Sequence, residues 1–397
     1  MRRLIPFTLL LALVNQSQAL KLPDQSLYHY QCPSCVNLSK STLSTSWLIE
    51  DKAMVPADVK PVISKRYYRK VTGQELKQGI ELGVLAEGAI IRVTPVTPKQ
   101  VSKNWQQKWA IQTGKQKKPL VDMVQSLSDE QEFKKQFDVG PALIFQLKQG
   151  LSNQRPYLVY EDENLDNTSQ WQLSVYDKMA NLYMSVALDK TRYQVGETVK
   201  AVINVKDDFN MPTVNWIEAR IFGPTGDGIP VELNSDGGLQ YHGEIPVQSK
   251  QVAQGENWYF QVMADLTING SHTIRTASAV FSYVVPSAKI RSIYRPSLDQ
   301  PLVLNAKVET LQASRYQLQG VIYATGDDGD VHSVALAQTS AWLDPGTKEM
   351  VLKFDKPLPS NLHEPYYLGQ LELVDDAQLK PVYRYNEKIP LTQLDAE

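Results

Sequence analysis

Cysteine and histidine are scarce in this chain: its 397 residues include two cysteines and five histidines. Two cysteines cannot build the disulfide-dense frame of a small secreted domain or a four-cysteine zinc site. The histidines stand at positions 29, 242, 272, 332 and 363, and none pairs with another at a metal-ligand spacing. Charge of one sign is lacking as well, with 41 Lys and Arg against 43 Asp and Glu and a formal net charge of −2. Phosphate neutralisation needs a clustered basic surface, so nucleic acid is not the expected partner. The densest basic run, KQKKP at Lys115 to Pro119, reads as a solvated loop. There is no G-x-S-x-G elbow and no phosphate-cradling glycine loop, and HEPYY at His363 to Tyr367 puts proline and tyrosines where H-E-x-x-H needs helix formers. These absences lower the expectation of an enzyme without removing it, since separated residues can converge in space.

Long apolar runs are also missing, with one short exception at the start. MRRLIPFTLLLALVNQSQA has Arg2 and Arg3 as a basic head, an apolar stretch from Leu4 to Val14, and Ser17 and Ala19 at its small-residue end. That stretch is too short to cross a hydrocarbon core of roughly 30 Å as a helix, so residues 1–19 read as a cleaved export signal. No later segment offers a membrane span. The expected protein is exported, to the periplasm or beyond the cell.

Alternation of apolar and polar residues is plentiful. In LYMSVAL, Leu182, Met184, Val186 and Leu188 share one side of an extended chain, and VKAVINVKDD and WYFQVMADL repeat the rhythm. Turn clusters FGPTGDGIP and NSDGG separate these runs. The pattern begins again after VVPSAKI, with Leu302, Leu304, Ala306 and Val308 on one face. Each stretch has the length of one immunoglobulin-like sandwich. Residues 20–181 read as a mixed, mainly β domain, with short helices announced by capping boxes at Thr72/Glu75 and Ser128/Gln131 and by the apolar pair Phe133 and Phe137. The expected fold is therefore mainly β: an N-terminal β-rich domain with short helices at 20–181, a sandwich at 182–286 and a second at 287–397.

The segment DKTRYQVGETVKAVINV resembles the opening strands of immunoglobulin-like domains in secreted bacterial proteins. LNSDGGLQYHGEIPV looks like one of their hairpins, and RTASAVFSYVVPSAKI like their closing strand and exit. With TGQELKQGIELGVLAEGAIIRVTP in the preceding domain, the layout is similar to an uncharacterised family of exported bacterial proteins in which a β-rich domain precedes two sandwiches. These motifs are structural, so the resemblance implies fold and compartment but no activity.

Three groups of residues are candidate sites. Cys32 and Cys35 form a C-x-x-C pair open to redox, zinc or disulfide readings. No preceding βα unit supports a dithiol oxidoreductase. Zinc would take His29, Cys32 and Cys35 but wants a fourth ligand. A disulfide between the two cysteines is the expected state of an exported chain. Asp327, Asp328 and Asp330 in TGDDGD could offer carboxylates to calcium, helped by Asp375 and Asp376 if those strand ends meet, although a hairpin turn explains the same residues. The nineteen tyrosines could furnish contact surfaces, but sheets favour aromatics anyway, and a doublet such as Tyr67-Tyr68 simply places one ring on each face. The expected function is a non-enzymatic binding or scaffold role toward an extracellular or envelope protein or glycan. The alternative is a secreted enzyme with its active site in the N-terminal domain or an inter-domain cleft.

Overall fold

The computed structural model describes residues 19–31, 33–50, 59–83, 85–97, 104–128, 141–151, 154–224, 226–249, 257–297 and 302–394. Antiparallel strands dominate these residues, and the chain is a mainly β protein of sandwich architecture. The second expected helix, with Gln131, Phe133 and Phe137, lies outside the described residues. The first is present at Gly73–Gln78. Thr72 Oγ1 accepts the Glu75 amide and the Glu75 carboxylate accepts the Thr72 amide, which satisfies donors that the first helical turn leaves free.

The described residues fall into two compact units. One draws on the described residues within 19–50, 248–249 and 283–394, the other on those within 59–247 and 257–282. The division near Tyr283 lies close to Pro286, where the apolar rhythm restarts.

The unit that ends the chain is a two-layer sandwich. One layer orders the strands Leu20–Lys21, Ala288–Tyr294, Val303–Thr310 and Gly346–Lys353. The other orders Leu43–Leu48, Val331–Leu343, Ser314–Gly326, Leu362–Asp375 and Lys380–Tyr385. Leu304, Ala306 and Val308 of the first layer share a core with Leu318, Ile322 and Leu373 of the second, because alternate side chains of each strand turn inward. Two strands of this sandwich come from the start of the chain: Leu43–Leu48 pairs with Val331–Leu343, and Leu20–Lys21 with Ala288–Tyr294. The sequence pattern groups residues 20–181 in one domain, whereas Leu20–Lys21 and Leu43–Leu48 complete sheets of the last sandwich. The physical reason is that alternation specifies which face of a strand is apolar, and it does not specify the partner edge.

The other unit is organised by a ten-stranded sheet. Five of its strands come from the middle of the chain: Gly228–Val231, Thr213–Phe222, Trp258–Ile268 and Ser271–Val284, with Arg192–Gln194 paired to the last of these. Five belong to the earlier part: Arg66–Thr72, Gln170–Tyr176, Ile90–Pro95, Leu143–Leu147 and Val124–Leu127. A five-stranded sheet that includes Tyr183–Leu188 and Thr198–Lys206 lies against the first group. At Gly243 the layers approach so closely that an added Cβ would stand 3.1 Å from Val231 and 3.4 Å from Phe260 of the ten-stranded sheet. A four-stranded sheet covers the second group, and Trp109 and Trp171 meet edge to face with ring centroids 5.8 Å apart.

The two groups join through little backbone, since Ser271–Val284 and Arg66–Thr72 share one bridge, Thr276 to Arg66. Side chains reinforce it: Ser64 Oγ donates to the Thr276 carbonyl at 2.5 Å, and the buried Arg275 guanidinium reaches Asp177 at 3.2 Å. Asp177 also accepts the Ala86 amide at 3.0 Å, and Arg275 Nε donates to the Leu182 carbonyl at 3.2 Å. Burial pushes the Asp177 carboxyl up and the Arg275 guanidinium down from their ordinary values, while each charge opposes the shift of the other.

Candidate functional site

Where the two groups of strands meet with so little pairing, the outer face of the ten-stranded sheet carries an open trough of about 410 Å³. Its walls repeat one arrangement. In Arg66–Thr72, Tyr68 and Lys70 are two residues apart and share the outer face, with Gln172 directly across from Lys70 on the next strand. In Thr213–Phe222, Arg220 and Phe222 are likewise two apart, with Gln261 directly across from Arg220. Each wall therefore presents an aromatic ring, a cation and a primary amide. Met263 and Glu218, cross-strand partners, extend the second wall.

Burial raises the Tyr68 phenol above its ordinary value, partly offset by hydrogen bonds with Ser278 and Gln261. It therefore remains a neutral donor and acceptor. Arg69 also lines the trough, but its charge is engaged by Glu75 at 3.0 Å. Among the described residues Lys70 and Arg220 have no carboxylate within salt-bridge range, leaving two exposed cations. Such a site can stack a flat apolar face, exchange hydrogen bonds through amides and hold a negative charge.

The expected sites lie elsewhere. Cys35 is buried in the last sandwich, its Sγ 4.0 Å from Tyr30 Oη and 3.9 Å from Ser314 Oγ. Cys32 lies outside the described residues. His29 is exposed while Cys35 is buried, so the two described ends of the H-x-x-C-x-x-C series face different surroundings. Tyr30 donates to Asp375 Oδ2 at 2.6 Å, and that oxygen also accepts from Ser287 Oγ at 2.7 Å and Gln378 Nε2 at 3.2 Å. Asp375 Oδ1 accepts from Ser314 Oγ at 2.7 Å and the Ala377 amide at 3.1 Å.

Asp327, Asp328 and Asp330 form the turn after Ser314–Gly326. Gly326 donates its amide to the Asp330 carbonyl at 2.9 Å, and Gly329 takes a φ of +81°. Asp328 meets His332 Nε2 at 3.0 Å, which holds its carboxyl below the usual range, and Asp327 lies 3.7 Å from His363. At Gly326 a Cβ would approach Asp328 Oδ1 at 2.6 Å and His332 Nε2 at 2.8 Å, so a larger residue there would displace the ends of those two side chains. Asp327, Asp328 and His332 border an open hollow of about 430 Å³ with Leu48 and Asn361. Among the described residues no three His, Cys, Asp or Glu side chains are grouped to hold a metal. The suggested help from Asp375 and Asp376 is overturned by the register. Asp375 pairs with Tyr316 and His363 with Thr325, so the carboxylates occupy opposite ends of the strand pair, separated by roughly 30 Å at about 3.3 Å per residue. Asp376 instead meets Arg315 at 3.3 Å, and burial raises its carboxyl.

Residues 34–177, 180–284 and 287–392 match, in order, the models for the N-terminal, central and C-terminal domains of a domain of unknown function, DUF4785. The chain belongs to the DUF4785 family. A DUF4785 protein from Legionella pneumophila, solved by crystallography, is similar along nearly the whole length: 28% identity, TM-score 0.79, covering 94% of this chain and 99% of that one. A trypsin-activated alpha-2-macroglobulin from Escherichia coli matches at 16% identity with a TM-score of 0.22, covering 76% of this chain and 22% of that one. So loose a superposition carries no argument about this DUF4785 member. No curated protein matches the chain. Among the described residues no helix is long and apolar enough to cross a membrane.

The trough is not legible in the sequence. Its one signal was RYYRKVT: Tyr67 is 3% exposed while Tyr68 is half-buried on the other face, so the doublet does place one ring on each side. That Lys70 and Arg220 would face one hollow follows from tertiary packing alone.

Proposed function

We propose that this chain is an exported, non-enzymatic binding protein that recognises an extracellular or envelope glycan or protein through the trough on its long sheet. The observation that carries this reading is the doubled set of ring, cation and amide side chains, open to solvent, with no imidazole or buried carboxylate lining it. Recognition needs such complementary surface, whereas acid-base catalysis needs groups of matched, shifted acidity. The signal-like residues 1–19 support export, and export supports a disulfide between Cys32 and Cys35 that fastens the buried Cys35 segment. Thiol titration with and without a chelator checks the disulfide: none should react before reduction, and two thiols released by metal removal would replace it with a zinc site.

The binding reading is tested by presenting the mature chain and a Tyr68→Ala variant to envelope and host-surface fractions, including arrayed glycans. Retention by the parent and loss by the variant supports it. Equal retention by both moves recognition off the trough, and cleavage of the presented material in place of retention favours the enzyme alternative.

A further inference from the structure

We propose that the trough takes an anionic oligosaccharide, a chain of sugars bearing carboxylate or sulfate groups. This deepens the binding reading above and rests on it. Three observations converge on that ligand class. First, cations outnumber acids at the trough: Arg69 is matched by Glu75, while Lys70 and Arg220 face Gln172 and Gln261 across the strand pairs in place of acids. Glu218 is the one carboxylate that lines the hollow, two residues from Arg220 on the same face and across from Met263. An ammonium and a guanidinium without internal partners can hold carboxylate or sulfate oxygens.

Second, the groups beside each cation suit a sugar. A primary amide both donates and accepts, as a row of hydroxyls requires, and the Tyr68 and Phe222 rings offer flat apolar faces for the C–H side of a pyranose. Third, the arrangement occurs twice. Lys70, Tyr68 and Gln172 on one wall correspond to Arg220, Phe222 and Gln261 on the other, as expected for two successive units of a repeating polymer. The volume of about 410 Å³ falls within the roughly 300 to 1,000 Å³ of small-ligand sites. An acidic peptide would carry the same charge. Extended peptides, however, are commonly recognised by main-chain pairing at a sheet edge, and these side chains stand on the face of the sheet, which offers no such ladder.

The test is calorimetric titration of the mature chain with an oligogalacturonate, with the same oligosaccharide after carboxyl reduction, and with an oligoglutamate of equal charge. The oligogalacturonate should bind, with affinity falling about tenfold or more on carboxyl reduction. A variant combining Lys70→Gln and Arg220→Gln should lose a similar factor. Both positions are exposed, so the fold should be retained, and an unchanged melting temperature checks that. Equal binding of the acidic and reduced sugars, with the double variant unaffected, would overturn the anionic specificity while leaving the binding reading in place. Oligoglutamate binding as tightly as the sugar would overturn the glycan class. If no probe binds and Tyr68→Ala also leaves retention on envelope fractions intact, both the proposal and the reading beneath it fall.

Discussion

Asp375 has no exposed surface, and its two oxygens accept from Tyr30, Ser287, Ser314, Gln378 and the Ala377 amide. Removing the carboxylate strands several buried donors at once, each costing about 1 to 3 kcal/mol when left unpaired. Asp375→Ala should therefore destabilise the last sandwich by about 3 kcal/mol or more, measured by denaturant unfolding. An unchanged midpoint would show that water replaces the lost acceptor. Tyrosines supply a second residue-scale expectation. Burial raises the phenols of Tyr30, Tyr67, Tyr193, Tyr283 and Tyr316, and pushes Tyr383 up to about 12. The folded state holds these protons more tightly than the unfolded chain, whose phenols titrate near about 10. Their contribution is fully present below that pH and is lost as pH rises through the folded values. Phenolate absorbance should then show a fraction of the nineteen tyrosines still protonated above about pH 10 until the chain unfolds.

Among the elements, the strand Leu43–Leu48 pairs with a region far from it in sequence, Val331–Leu343. It occupies one edge of the sheet that it forms with Val331–Leu343, with Ser46 buried while Leu43 and Trp47 are exposed. Without it the pairing groups of Val331–Leu343 on that side would face solvent, a template for association with another chain. A chain starting at Val59 should therefore self-associate or precipitate during size-exclusion chromatography, whereas one starting at Leu20 should elute as a defined species. Identical elution of both would show that the strand is dispensable. The pattern LSTSWL gave no hint of this role: only Ser46 is buried along it, and polar strands specify register and partner weakly.

For the whole molecule, the division near Tyr283 predicts two unfolding transitions in calorimetry. Arg275 and Asp177 are each 1% exposed at the side chain and sit where the two halves of the ten-stranded sheet share a single bridge. Arg275→Ala leaves a carboxylate buried without its cation, which typically costs about 3 to 5 kcal/mol. One transition should fall accordingly and the other stay within about 0.5 kcal/mol, as for distant sites. Equal movement of both would mean that the units unfold together.

From the amino-acid order alone came the β class, the inward-facing residues of the later strands and the Thr72/Glu75 cap, because side-chain alternation and capping are set by neighbours a few residues apart. Tertiary structure decided which edges those strands join. It carried residues 20–48 to the last sandwich, sent Asp375 to the opposite end of its strand pair from Asp328, and brought Lys70 and Arg220 to one trough. Partner choice between strands depends on loop closure and on the burial of a shared core, and neither is written in any short stretch of sequence.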